Sequence, residues 1–405
     1  MPMSLQRVLV LNAGSSTLKW SVLETGSERL AAGGDVEWRG FAPERQAEQL
    51  QALLRDNPDA RSAGAVGHRV VHGGTAFREP VRITAAVRRA LADLAEIDPL
   101  HTAAALAGVD AVTAAAPELP QVAAFDTSFH ATLPEAAALY PLPWEWTERH
   151  GLRRYGFHGL SVSYSCRRVA ELLGAVPARL LVCHLGSGCS LTAVAGGRSV
   201  DTSMGMTPLE GVMMATRSGS VDPGLLLHLQ RRCGLDLDAL EDGLQHRSGL
   251  AGVSGAGADL RQVLAAADAG GAGARRAVLA YDLFVHSLVR TAGAMIAVLG
   301  GLDALVLTGG IGEHSARLRG DFLARLAYAG VRVDAAANAG NAANTADTAD
   351  TADTADTANA ANTANTAGDR EISPAGAAVR SFTIAAREDL AVLRELLRVL
   401  EQPAS

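Results

Sequence analysis

Short apolar runs edged by glycine and small polar residues alternate along this chain with longer stretches of helical period. Residues 7–11 (RVLVL) read as a buried strand and 18–23 (LKWSVL) as an alternating one, with a polar knot at 12–19 between them. Residues 64–74 (GAVGHRVVHGG) predict a strand running into a glycine turn, 84–96 a helix, and 121–130 (QVAAFDTSFH) a strand ending in polar groups. The proline- and aromatic-rich stretch 140–159 predicts a crossing between two domains. Residues 179–194 (RLLVCHLGSGCSLTAV) then repeat the opening design of strand, polar knot and strand, with a one-residue slip. The repetition points to a duplicated domain, against the alternative of two unrelated glycine-turn hairpins. A long helix at 275–300 and a strand, glycine turn and helix start at 303–315 (DALVLTGGIGEHS) complete the pattern.

At 405 residues the chain exceeds one typical core, so two domains are expected. The net charge of −7 argues against nucleic acid or an acidic membrane as partner. Cys166, Cys183, Cys189 and Cys233 show no CxxC spacing and read as free thiols in a reducing, cytoplasmic setting, with no apolar leader at the N-terminus. The most apolar region, 291–308, contains Asp303 and central glycines, which fits a helix followed by a strand better than a membrane span. Residues 335–367 repeat Thr-Ala-Asp/Asn without a large apolar side chain and are expected to form a disordered surface loop.

Three glycine turns follow strands, at 12–19, 184–190 and 308–315. Backbone N–H groups at such turns cradle anions, and three of them in an alternating two-domain chain favour a nucleotide lying between the domains. No P-loop, protein-kinase signature or early G-x-G-x-x-G fingerprint competes with this reading. Lys19, the only lysine beside 35 arginines, sits in the first turn. Arg69 and Arg217 stand in apolar or glycine-rich company, where a guanidinium usually meets a carboxylate or phosphate. Arg153, Arg154, Arg167 and Arg168 lack such company and are expected to be solvated. Asp126 and His158 end apolar stretches, and His68 and His72 lie on a strand-to-turn segment where they would not share a face as metal ligands.

The strings LNAGSSTLK, GHRVVHGG, FDTSFH, RRYGFHGLS, HLGSG, DTSMGMTPLEGVMMATRSGSVDPG, SGLAGVSG, LVLTGGIGEHS and EISPAG follow one another in this order, and together they resemble the acetokinase family. The resemblance implies an α/β fold of two duplicated ribonuclease-H-like domains, the architecture of actin-like ATPases and of acetate and sugar kinases, with the active site in the cleft between them. It implies a first domain at 1–150 completed by a C-terminal helix at about 385–401, and a second at 151–384 carrying the insert 335–367. The implied activity is reversible transfer of phosphoryl from ATP to acetate by in-line attack of the carboxylate, with magnesium, or manganese in its place, held by Asn12 and Glu388. Asp126, Arg69, Arg217 and His158 would be catalytic, with His158 and Arg217 stabilising the transition state. Arg69, Val71, Leu100, Phe157 and Pro208 would bind the acyl group. Ser15, Thr17, Lys19, His184, Leu185, Gly186, Ser187, Gly188, Asp259, Leu260, Arg261, Gly309, Gly310, Ile311, Gly312 and His314 would surround the nucleotide. A homodimer is also implied.

Physical chemistry agrees with that assignment. Acetate is already an anion, so the nucleophile needs charge neutralisation ahead of a strong base. Asp126 is therefore given a positioning role ahead of a proton-abstracting one. Ser187, His314, Asp98, Thr102, Leu260 and Arg387 depart from the family's usual pattern, with His314 and Leu260 bearing on nucleotide preference. A propionate or short-chain acyl kinase is the nearest competing activity, and a non-catalytic actin-like nucleotide-binding protein the competing class.

Overall fold

The computed structural model describes residues 5–13, 17–37, 43–96, 99–271, 273–340 and 368–402. Its first sheet is built from β1 (Arg7–Ala13), β2 (Thr17–Glu24), β3 (Leu30–Glu37), β4 (Val66–Val70), β5 (Val81–Arg82) and β6 (Gln121–Phe125), in the order β3-β2-β1-β4-β6-β5. The second contains β7 (Arg179–Leu185), β8 (Cys189–Ala195), β9 (Arg198–Thr202), β10 (Ala304–Thr308), β11 (Arg370–Glu371) and β12 (Arg380–Thr383), in the order β11-β12-β10-β7-β8-β9. Read from the opposite edge, this is the same order. In each sheet two antiparallel hairpins lead into three parallel strands, and a two-residue strand runs antiparallel at the far edge. The duplication suggested by the two hairpins thus extends through whole sheets. The one-residue slip has a local cause: the first hairpin closes between Ala13 and Leu18, the second between Leu185 and Cys189.

The parallel strands are apolar on both faces because helices cover them. β6 and β10 are buried at every position. The helix Glu388–Glu401 returns to the first sheet and buries Leu390, Val392, Leu393 and Leu396 against it. The helix Gly159–Leu173 touches β6, β7 and β10, and so packs on both sheets. The 291–308 region resolves as expected into a helix, Ala274–Leu299, and the strand β10. That helix is the one among the described residues long and apolar enough to cross a membrane, and it lays Phe284, Leu288 and Met295 into the core of the second half.

The insert is not uniform. Ala335–Ala339 is a helix capped by Asp334, whose side chain accepts the Ala337 N–H at 2.9 Å. Asn338 is buried and accepts from Nε of the fully buried Arg319 at 2.7 Å through Oδ1. Disorder beginning at 335 is therefore wrong for 335–340, because the repeat's composition hides one asparagine that satisfies a core arginine. Residues 341–367 lie outside the described residues.

Two of the four arginines expected to be solvated are also corrected. Arg154, 16 % exposed, pairs with Glu210 at 2.7 Å and donates to the carbonyls of Thr202, Ser203 and Met204. Arg168 pairs with Asp369 at 2.7 Å, whereas Arg167 is 47 % exposed as expected.

Candidate active site

Asn12, Arg69 and Asp126 stand at the C-terminal ends of the adjacent parallel strands β1, β4 and β6, where open α/β sheets place ligands. The β registers put Asp35, Lys19, Asn12 and Arg69 directly opposite one another in a row across four strands. Opposed residues point to one face, so the lone lysine and the first arginine look into one space. Burial raises the Asp35 carboxyl above its ordinary range, and the Lys19 charge opposes that shift.

Arg69 is gripped through its whole fork. Nε and Nη2 donate to Asp126 Oδ1 and Oδ2 at 3.1 and 2.6 Å, Nη1 donates to Asn12 Oδ1 at 3.0 Å, and Glu388 Oε2 lies 3.1 Å from Nη1. Asp126 is 1 % exposed, and removing one partner from so buried a pair is strongly unfavourable. Glu388 Oε2 also accepts from Asn12 Nδ2 at 3.4 Å, which places the two expected metal-facing residues side by side.

The second half brings the complementary groups. His158 precedes the helix Gly159–Leu173 with φ of 58°, a left-handed conformation that costs a non-glycine residue about 1–2 kcal/mol. Gly159 makes that entry possible. Its N–H donates to the Asp126 carbonyl at 2.8 Å, and a Cβ there would lie 2.1 Å from the same oxygen. His158 is thereby set beside Asp126. Its Nδ1 shares a 3.0 Å hydrogen bond with Ser190 Oγ, and its ring stacks on His184 with centroids 4.1 Å apart. His184 Nδ1 in turn bonds Ser161 Oγ at 2.8 Å. Burial, then the nearby charges of His184, Arg69 and Arg217, hold His158 well below the ordinary histidine range. That direction favours the neutral ring.

Gly188, in the turn after β7, marks where these groups meet. A Cβ there would lie 3.3 Å from His158 Nε2 and 3.4 Å from Arg217 Nη1. The turn is tied to the arginine loop by the Ala215 N–H on the Ser187 carbonyl at 3.3 Å. Arg217 Nη1 donates to the Pro208 carbonyl at 3.0 Å. Val71 packs on the apolar cluster that holds Phe157 and Met213, so Val71 and Phe157 share one cluster while Pro208 touches Arg217. His68 and His72 go separate ways, to Gln121 Oε1 and to the Gly74 N–H.

The glycine segment after β10 forms a short helix, Gly309–His314, beside β7, with Gly309 against the Leu185 backbone. Asn12, Lys19, Arg69, His184, Gly309, Gly310, His314 and Glu388 line one cleft drawn from both halves. Asp259 caps the helix Leu260–Asp268 and pairs with Arg261, whose charge reaches His314. The Leu260 side chain is 3 % exposed and packs in the second core. Ile311 also packs on that core. Thr17 opens β2, while Ser15 and the Leu100 side chain lie outside the described residues. Sequence reasoning missed Ser190, Ser161 and Glu313. Of these only Glu313, an acid directly after a glycine turn, carried a local signal.

The model of the Acetokinase family matches residues 44–366. An acetate kinase of Synechococcus sp. is 43% identical over 97% of this chain and 99% of its own. The crystal structure of Porphyromonas gingivalis acetate kinase superposes with a TM-score of 0.84 at 32% identity, over 98% of this chain and 100% of that one. A propionate kinase from Francisella tularensis superposes with a TM-score of 0.82 at 32% identity, over 96% and 98%.

Proposed function

We propose that this chain, which belongs to the acetokinase family, carries out the phosphorylation of acetate by ATP with the residues that converge in its inter-sheet cleft. The observation that carries the reading is that His158 Nε2 and Arg217 Nη1 converge on Gly188 while Asp126, which grips Arg69, accepts the N–H of Gly159 next to His158. A non-catalytic relative would have no reason to keep Arg69, Arg217, His158 and Asp126 together.

The nucleotide lies with its phosphates along the turns at 185–188 and 309–310 and its terminal phosphoryl between the two arginines. Acetate enters with its methyl group toward Val71, Phe157, Leu100 and Pro208. Arg217 and Arg69 offset the repulsion between carboxylate and phosphate and then hold the charge spread over the transferring group. Neutral His158, oriented through Ser190, offers Nε2 as a hydrogen-bond donor. Asp126 holds Arg69 and takes no proton.

Magnesium fits the donors present. Asn12 Oδ1 and Glu388 Oε2 are hard oxygens that both lie against Arg69 Nη1, at 3.0 and 3.1 Å, in the cleft, and no group of three acids, histidines or cysteines stands among the described residues. A magnesium ion usually rests on one or two protein oxygens together with phosphates and water, and manganese accepts the same set. When bound it supplies neutralisation of phosphate charge.

A cytoplasmic setting without nucleic-acid or membrane partners accords with the −7 charge and with Cys166, Cys183, Cys189 and Cys233 as free thiols. Exposed Leu225, Leu227, Leu279 and Leu283 in the second half suit a homodimer face, and a one-chain mass in sedimentation would contradict it.

The likeness to a propionate kinase gives the second reading an observation of its own. The test is hydroxylamine trapping of acyl phosphate with ATP, magnesium and acetate, propionate or butyrate. One methylene is worth about 1–3 kcal/mol in such a pocket, so acetate should lead propionate by roughly 10- to 200-fold, with butyrate poorer. Val71→Ala should narrow the gap. Propionate leading in the unmodified protein establishes the second reading, and no hydroxamate from any acid in folded protein overturns both.

A further inference from the structure

The chain returns from the second sheet to the first through residues 384–388, between β12 and the helix Glu388–Glu401. Two successive backbone amides in this crossing are held by carboxylates of the second half. Ala385 N donates to Asp369 Oδ1 at 2.9 Å, and Ala386 N donates to Glu313 Oε1 at 2.9 Å. Asp369 is anchored in turn by Arg168 Nε at 2.7 Å.

Glu313 itself stands on the short helix Gly309–His314, which opens at the glycine pair after β10. Gly309, at φ 78°, is pressed so closely on the end of β7 that a Cβ would lie 2.8 Å from the Leu185 oxygen. The main chain of Glu313 is fixed too, its carbonyl accepting from the buried Arg319 Nη1 at 2.6 Å. Glu313 therefore stands between the turn read as holding nucleotide and the segment that carries Glu388, and it lines the same cleft as Asn12 and Glu388. A carboxylate in the last turn of a helix opposes the helix dipole, and burying it is unfavourable unless it is hydrogen-bonded. Packing alone does not call for an acid here.

We propose that Glu313 is a positioning residue that couples nucleotide binding to cation binding, its side chain tying the Gly309–His314 segment on which it stands to the Ala386 amide of the crossing. A nucleotide that settles the turn thereby settles the crossing, and with it Glu388. A cation on Glu388 reports back to the turn by the same route, as linkage requires. The inference rests on the reading of Asn12 and Glu388 as the metal-facing pair.

Calorimetric titration with ADP, with and without magnesium, tests it on the full chain and on Glu313→Gln and Glu313→Asp. Glutamine keeps the shape but replaces the acid at the Ala386 amide by a weaker neutral acceptor. Aspartate keeps the acid but is one methylene too short to reach that amide from the same helix. The factor by which magnesium tightens ADP binding should fall at least about fivefold in either variant, with KM for acetate unchanged. Unmodified protein supplies the check that needs no variant: ADP alone should slow hydrogen exchange across 384–388. A wild-type coupling factor in a folded variant, or exchange at 384–388 indifferent to ADP, overturns the coupling role. Wild-type ADP affinity that ignores magnesium overturns instead the reading of Asn12 and Glu388.

Discussion

Asp126→Asn separates a positioning carboxylate from a catalytic base. In the folded protein both Asp126 oxygens are occupied by Arg69, at 3.1 and 2.6 Å, and the side chain is 1 % exposed. Asparagine matches the shape but offers one acceptor, and its N–H2 faces a guanidinium N–H. Hydrogen bonds to charged groups contribute about 1.5–3 kcal/mol each, so one such bond is lost and the other is weakened. Arg69 keeps Asn12 at 3.0 Å and Glu388 at 3.1 Å, so the guanidinium stays in the cleft but swings toward them. A preorganised charge donor moved off its target forfeits most of about 2.7–4 kcal/mol of transition-state stabilisation, which is a fall of roughly 100- to 1000-fold in kcat. The assay is steady-state kinetics with both substrates from about pH 5.5 to about 9. The loss should be uniform across that range with KM for ATP little changed, because acetate has no proton to give up. A kcat within about threefold of the unmodified enzyme, or disappearance of an acidic limb from the pH profile, would refute the reasoning.

Arg217→Ala should lower kcat by about a hundredfold, and Arg217→Lys should recover only part of that, since a point charge cannot replace a planar fork; full recovery with lysine contradicts the geometry. Replacing 341–366 by a short Gly/Ser link should leave stability within about 0.6 kcal/mol. Beginning the excision at 338 removes the Oδ1 acceptor of buried Arg319 and the Nδ2 bond to the Ala316 carbonyl, and should cost about 2–4 kcal/mol; equal denaturation midpoints for the two deletions would contradict this. Burial pushes His68 and His130 down to about 4. The unfolded chain takes up these protons near pH 6.5, so stability is complete above that value and is lost as pH falls toward 4, by up to about 3 kcal/mol per ring. His68→Gln should remove one such increment from the difference between denaturation at about pH 7 and about pH 4.5, and an unchanged difference would refute the assignment.

Much of the layout was legible because it is local. Apolar runs and glycine turns marked the strands, and the repeated hairpin pointed to two sheets with one topology. The cleft chemistry could be located because Arg69, Asp126 and His158 each end an apolar stretch, the first two at strand ends and His158 at the start of the helix Gly159–Leu173. What stayed hidden were polar partnerships across long separations. Arg154 has no neighbour in sequence that announces Glu210 or three successive carbonyls. Asn338 looks like one more unit of a repeat until Arg319 is found buried against it. Ser190 and Ser161 are ordinary strand and helix serines whose value lies in the stacked histidines they orient. Buried polar groups must find partners, but the requirement says nothing about where in the chain the partner lies.

The central claim is direct transfer within a single cleft, with His158 as a donor and never as a carrier of phosphoryl. The stereochemical course at phosphorus tests it most directly, using ATP made chiral at the terminal phosphoryl with oxygen isotopes and acetate as acceptor. One in-line displacement predicts inversion of configuration in the acetyl phosphate formed. Retention would require two displacements and a phosphorylated side chain between them, and would contradict the account.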